Sequence, residues 1–168
     1  MASPTLPSIR PGRDTDGPAL ARLISAVFSE YEGCPYVPEE FPELAAPASH
    51  YAGKGGALWV AENDAGEVVG SLAVAKALDA GTYELFKVYV AAGQRGTGLA
   101  QTLLEGGYDF IRSHGGERVV LWSDTRFLSG HRFYRRNGFR RVPGIRALHD
   151  AADTLEFGFA RDCPGVDR

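Results

Sequence analysis

Gly93-Gln94-Arg95-Gly96-Thr97-Gly98-Leu99-Ala100 has the composition of an anion-binding turn. A β-type run, Tyr83 to Val90, leads into it, and a helical pattern starting near Thr97 leads out. The first turn of a helix carries N–H groups without intrahelical partners, and its dipole places partial positive charge there. Glycines let the backbone adopt φ > 0 and approach an anion closely. Arg95 adds a fixed positive charge. These residue types in this order read as the seat of a pyrophosphate-bearing cofactor.

Three phosphate-loop chemistries compete for that reading. A P-loop needs Gly-x-x-x-x-Gly-Lys-Ser/Thr. Gly93 and Gly98 have that spacing, but Leu99 and Ala100 stand where the lysine and the metal-binding hydroxyl belong. A dinucleotide fingerprint needs Gly-x-Gly-x-x-Gly in the first βαβ unit, whereas here Gln101 replaces the third glycine and the loop lies mid-chain. The third pattern is Arg/Gln-x-x-Gly-x-Gly/Ala, which Arg95 to Ala100 fits. It resembles the acetyl-CoA-binding motif of the GCN5-related N-acetyltransferase (GNAT) superfamily. His131-Arg132-Phe133-Tyr134-Arg135-Arg136-Asn137-Gly138-Phe139 resembles a second motif of that family, Ala-x-x-Phe/Leu-Tyr-x-x-x-Gly-Phe. The likeness covers most of residues 8–160 and is strongest over 84–139.

The resemblance implies a fold, a co-substrate and a division of labour. Strands at 84–90 and 118–123 should run parallel and splay into a V-shaped slot. The pantetheine arm of acetyl-CoA should bond the backbone of Val88 and Val90. The pyrophosphate should sit on Arg95, Gly96, Thr97, Gly98, Leu99 and Ala100. A main-chain N–H of Val88 or Tyr89 would face the thioester oxygen, where charge develops. Direct attack by an amine in a ternary complex would gain from proximity. Tyr134 would give a proton to the leaving thiolate, and Glu84 would act as base through water. From residue chemistry alone, Tyr134 reads equally as a ring packed beside Phe133 and Phe139, and Glu84 as a strand-end carboxylate facing solvent. Strand alternation puts Glu84 on one face with Phe86, Val88 and Val90. His131 and His149 are further base candidates. The chain departs from the family pattern at Phe127, where many members carry a cofactor-touching asparagine. Asp124 or Arg126 can replace that contact or hold the acceptor; equally, Asp124 can cap a turn.

The elements that position these residues follow from periodicity. Ser8-Ile9-Arg10 is a short strand. Asp14 or Thr15 can cap a helix whose Leu20, Leu23, Ile24, Val27, Phe28 and Tyr31 share a face. Residues 32–56 read as a loop with a short helix over about 39–52. Residues 57–61 and 68–74 pair as strands across Asn63-Asp64-Ala65-Gly66. Leu99, Leu103, Phe110 and Ile111 mark the packing side of the helix after the glycine loop, which ends at Gly115-Gly116. Gly106 and Gly107 within it invite close packing on the sheet. Residues 139–148 and 154–160 form a terminal strand pair. The class is α/β, a mixed and mostly antiparallel sheet flanked by helices.

Length and charge bound the rest. The 168 residues suit one domain, with its core over about 8–160 and tails at 1–7 and 162–168. Net charge is −3, which argues against general nucleic-acid or anionic-membrane binding. The local basic residues Arg132, Arg135, Arg136, Arg140 and Arg141 read as a solvated helix face or, alternatively, as a group of which one or two touch cofactor phosphates. Cys34 and Cys163 suggest no disulfide and a reducing compartment. No signal peptide or transmembrane run is evident, so a cytoplasmic location is expected. Metal and hydrolase motifs are missing, so no metal site is expected. Phe28, Tyr31, Glu32, Tyr36, Glu39 and Glu40 give the acceptor side an aromatic and acidic character, which favours a cationic small-molecule or peptide amine. A homodimer is compatible with the sequence. The alternative function is a non-catalytic acyl-CoA sensor, which would keep the glycine loop and not need Tyr134.

Overall fold

Both faces of the strand at 68–76 are apolar, so it must lie between two layers of helix. The computed structural model, which describes residues 5–166, places it so. Strands β1 (Ser8–Pro11), β2 (Ala57–Glu62), β3 (Val68–Lys76), β4 (Thr82–Val90), β5 (Arg118–Asp124), β6 (Arg140–Ala147) and β7 (Leu155–Asp162) form a seven-stranded sheet in the order β1-β2-β3-β4-β5-β7-β6. Neighbours are antiparallel except β4 and β5, which are parallel. Helices α1 (Gly17–Phe28) and α2 (Pro47–Gly53) cover one face, and α3 (Leu99–Ser113) covers the other. Helix α4 (Leu128–Arg136) follows β5.

The alternation of β3 builds two cores. Leu72 and Val74 pack with Leu103, Leu104, Tyr108 and Ile111 of α3. Ala73 and Ala75 pack with Leu20 and Ile24 of α1 and Tyr51 of α2. A Cβ on Gly107 would lie 3.0 Å from Leu72, so close helix–sheet contact accounts for this glycine; one on Gly106 would meet nothing. No helix among the described residues is long and apolar enough to cross a membrane.

A bulge in β4 sets the site. Ser71 pairs with Tyr89 and Ala73 with Phe86, so Leu72 alone opposes Lys87 and Val88. Lys87 adopts φ +52°, a left-handed conformation that is uncommon for a residue with a side chain. The extra residue reverses the alternation. Before the bulge, Glu84 and Phe86 face the α1–α2 side; after it Tyr89 does, while Val88 and Val90 face the α3 core. Glu84 therefore does not share a face with Val88 and Val90, contrary to simple alternation.

Other expectations also change. The 32–56 segment forms two 3-10 turns, at Pro38–Glu40 and Pro42–Ala45, before α2, because prolines interrupt it. A 3-10 turn at Asp14–Asp16 precedes α1; Asp14 instead accepts from the N–H and hydroxyl of Ser49 (2.8 and 2.5 Å). Residues 162–166 are not a loose tail: β7 runs to Asp162, Cys163 is buried and donates its N–H to Glu117 O at 2.7 Å, and Val166 packs on the core. Residues 1–4 and 167–168, the ends of the expected tails, lie outside the described residues.

Candidate active site

The parallel ladder of β4 and β5 runs from Thr82–Arg118 to Leu85–Leu121 and stops. Both strands continue, β4 to Val90 and β5 to Asp124, with no pairing between them. The gap is the opening of a cavity of about 610 Å³. Val88, Tyr89 and Val90 form one wall, the Arg95–Gln101 turn the floor, and α4 residues Arg132, Phe133, Tyr134 and Arg136 the other wall. This volume lies within the ordinary range for a small-molecule site.

The turn at the floor is built to receive an anion. Gly96 and Gly98 take φ +76° and +88°, which glycine adopts without steric cost. As a result the backbone N–H groups of residues 96–101 find no acceptor among the described residues; the first helical bond is Thr102 N–H to Gly98 O at 3.0 Å. A row of unpaired N–H groups at the start of a fifteen-residue helix fits a diphosphate. Of the residues expected to hold the cofactor, Val88, Tyr89, Val90, Arg95, Gly96, Gly98, Leu99 and Ala100 line this cavity. Thr97 does not line it; its hydroxyl donates to Gln94 O at 2.6 Å. The Arg95 guanidinium is engaged elsewhere, bridging both carboxylate oxygens of Glu30 at 2.5 and 2.7 Å. Among the arginines flagged in the sequence, Arg132 and Arg136 line the cavity; Arg141 instead stacks on Phe157 at 3.7 Å.

A second cavity, of about 210 Å³, lies on the α1–α2 side of the splay. Val88, Tyr89, Ser123, Phe127 and Tyr134 line both cavities. Tyr134 is thus at the junction. It is buried against Phe133, Phe139 and Phe159, and its hydroxyl has no hydrogen-bond partner among the described residues. Burial raises its phenol above the ordinary value, so it stays protonated. The ring packs beside Phe133 and Phe139, as residue chemistry alone allows, yet the residue fronts both spaces.

Glu84 lines the second cavity and not the first. Burial raises its carboxyl, with Arg146 opposing and Glu156 reinforcing the shift. The rival bases have other tasks. His131 is buried, its Nε2 lies 2.9 Å from Asp124 O, and it packs on Phe157 and Phe159. His149 is exposed and lines neither cavity.

Asp124 caps its turn through Arg126 N–H (2.9 Å) and pairs with the Arg126 guanidinium at 2.6 Å. Arg126 also donates to the Gly33 carbonyl and to Thr154 Oγ1. The turn reading holds, and the arginine in addition ties two loops together. Phe127 packs at a tilt against Tyr31 and Phe28, with centroids at 4.9 and 5.7 Å. Of the acceptor-side candidates, Phe28 and Glu40 line the second cavity and Tyr31 the first; Glu32, Tyr36 and Glu39 line neither. Sequence reasoning missed Trp122, Arg146, Asp150 and Glu156 in the second cavity. The β5–β7–β6 register, which pairs Asp124 with Glu156 and Glu156 with Arg146, brings in Arg146 and Glu156, while Trp122 lies on β5 itself and Asp150 in the loop between β6 and β7.

Residues 24–139 match the model of the Acetyltransferase (GNAT) family. The chain belongs to this family. As a GNAT protein its chemistry is acyl transfer, and the family generally takes the acyl group from an acyl-CoA. No curated protein matches the sequence at a significant level. Among solved structures, a GNAT-family acetyltransferase from Staphylococcus aureus Mu50 superposes with TM-score 0.80 at 21% identity, over 93% of this chain and 98% of that one. An acetyltransferase from Streptococcus agalactiae gives 0.78 at 21%, over 92% and 97%. The ribosomal-protein-alanine N-acetyltransferase from Brucella melitensis gives 0.69 at 20%, over 92% and 99%. At these identities the likeness is one of fold.

Proposed function

We propose that this GNAT protein moves an acetyl group from acetyl-CoA to a primary amine by direct attack in a ternary complex. The observation that carries this reading is the position of Tyr134, buried where the cavity above the anion-binding turn meets the cavity that holds Glu84.

The residues divide the work as follows. The N–H groups of 96–101 receive the diphosphate, and the unpaired edge of β4 at Val88–Val90 receives the pantetheine arm. An N–H of Val88 or Tyr89, displaced by the bulge, faces the carbonyl oxygen as it gains charge. Glu84 takes one proton from the arriving ammonium. The neutral nitrogen then bonds to the carbonyl carbon and the carbon–sulfur bond breaks. The sulfur leaves with the proton of Tyr134, the phenolate regains a proton from the second one that the nitrogen sheds as it becomes a neutral amide, and Glu84 passes its own proton to solvent.

Thermal unfolding with acetyl-CoA, CoA and ATP tests the cofactor. CoA species should stabilise the protein and ATP should not. Thiol release across a panel of amines then tests the reaction. Binding of CoA without turnover of any amine would favour an acyl-CoA sensor; absence of binding would end both readings.

A further inference from the structure

The second cavity, about 210 Å³, corresponds to roughly seven waters at the ~30 Å³ each occupies in the liquid. Two loops roof it: residues 33–41 after α1, and 148–154 between β6 and β7. They are latched to each other. Ala151 N–H donates to the Glu40 carboxylate at 2.8 Å. Arg126 reaches from below to the Gly33 carbonyl in one loop and to Thr154 Oγ1, at 3.3 Å, in the other. An occupant larger than the cavity would have to part these bonds. Phe28, Phe41, Phe86, Tyr89, Trp122 and Phe127 supply aromatic wall.

Charge narrows the occupant further. The lining cations are Lys87, Arg126 and Arg146, and each is already held by a carboxylate: Glu43 at 2.5 Å, Asp124 at 2.6 Å and Glu156 at 2.6 Å. Two other lining carboxylates are also engaged, Glu40 by Ala151 N–H and Asp150 by Thr154 N–H at 2.8 Å. Glu84 has neither a hydrogen bond nor an ion pair among the described residues. It is half-buried, so it has given up hydration without gaining a partner.

We propose that this cavity selects a compact monoamine with an apolar or aromatic body and no anionic group, its ammonium seated on Glu84. The proposal rests on the acyl-transfer reading of the same site and specifies its acceptor. A carboxylate on the acceptor would meet no unpaired cation and would stand beside Glu84, a like-charge contact that specificity commonly exploits. Glu84 accepts one ammonium proton, the nitrogen bonds to the acyl carbon as the carbon–sulfur bond breaks, sulfur departs with the proton of Tyr134, the Tyr134 phenolate takes the second proton shed by the nitrogen, and Glu84 returns its proton to solvent. The product amide is neutral, so it no longer pairs with Glu84 and is released.

Steady-state thiol release with acetyl-CoA tests this against four acceptors: 2-phenylethylamine, phenylalanine amide, phenylalanine and an alanine-initiated hexapeptide. The kcat/KM for phenylethylamine should exceed that for phenylalanine by about 100-fold, the scale of a buried like-charge contact. Phenylalanine amide should fall between them, and the hexapeptide should not rise above background. In Glu84→Gln the preference for phenylethylamine over phenylalanine should shrink about tenfold, whatever happens to kcat itself. Phenylalanine or the peptide used as well as phenylethylamine would overturn the proposal while leaving acyl transfer standing. Phenylethylamine left untouched by protein that binds CoA would overturn it too. Loss of CoA binding altogether would remove the acyl-transfer reading with it.

Discussion

The hydroxyl of Ser71, fully buried in β3, donates to the main-chain carbonyl of Lys87 at 2.6 Å. Lys87 is the left-handed residue of the β4 bulge, and this bond holds its peptide in a conformation that lysine does not favour. The bulge in turn separates the face of Glu84 from that of Val88. Ser71→Ala removes the donor and leaves the carbonyl short of a partner. We expect a loss of about 1–2 kcal/mol by urea denaturation, and a kcat/KM lowered about 10- to 100-fold by misplacement of the β4 amides. Unchanged kcat/KM would show that the bulge holds itself.

Tyr134→Phe keeps the ring and its contacts with Phe133, Phe139 and Phe159. The lost hydroxyl has no hydrogen-bond partner among the described residues, so unfolding midpoints should barely move, within about 0.5 kcal/mol. If the phenol supplies the thiolate's proton, kcat falls about 100-fold or more with KM for acetyl-CoA unchanged. Because burial raises the phenol, the wild-type rate should show no alkaline loss below its ordinary pKa of 10.0. Wild-type kcat in the Phe variant would reduce Tyr134 to a packing residue.

Local signals in the sequence carried much of this arrangement. The glycine turn, Tyr134 and the strand patterns from Ala57 to Val90 are local, and the structure realises them as a turn, a junction residue and an ordered sheet. The bulge was not legible, because a lysine at φ +52° carries no compositional mark and its anchor, Ser71, lies on another strand. One added residue then reversed the faces of everything after it. Arg95 likewise read as a phosphate ligand from its neighbours, while its guanidinium is taken by Glu30, 65 residues away. The walls of the second cavity depend on strand register between β5, β7 and β6, which local pattern does not encode.

The Glu30–Arg95 pair separates two ways of holding a diphosphate. If main-chain N–H groups do most of the work, Gly98→Ala, which forces a side chain onto φ +88°, should weaken CoA binding at least about tenfold by displacing the turn. Arg95→Ala should cost less, about threefold, since its guanidinium is committed to Glu30 and both partners are partly exposed. Isothermal titration with CoA compares the two. A larger loss for Arg95→Ala would mean that the guanidinium leaves Glu30 when the ligand arrives.

Glu84 should cost the fold stability at neutral pH. Its carboxyl is raised above the ordinary value of 4.5 mainly by burial, so the folded state binds its proton more tightly than the unfolded chain does. The penalty is full above the folded pKa, shrinks as pH falls through it, and vanishes below the unfolded value. Glu84→Gln should therefore melt higher than wild type at about pH 7.5, with the gap closing by about pH 4. The same substitution should slow acetyl transfer and remove the acidic limb of kcat/KM, whose inflection in the wild type lies above 4.5. Stability and activity moving in opposite directions is the signature of a charge kept for chemistry. A Gln variant that melts lower at neutral pH would instead place Glu84 among the structural carboxylates of the sheet.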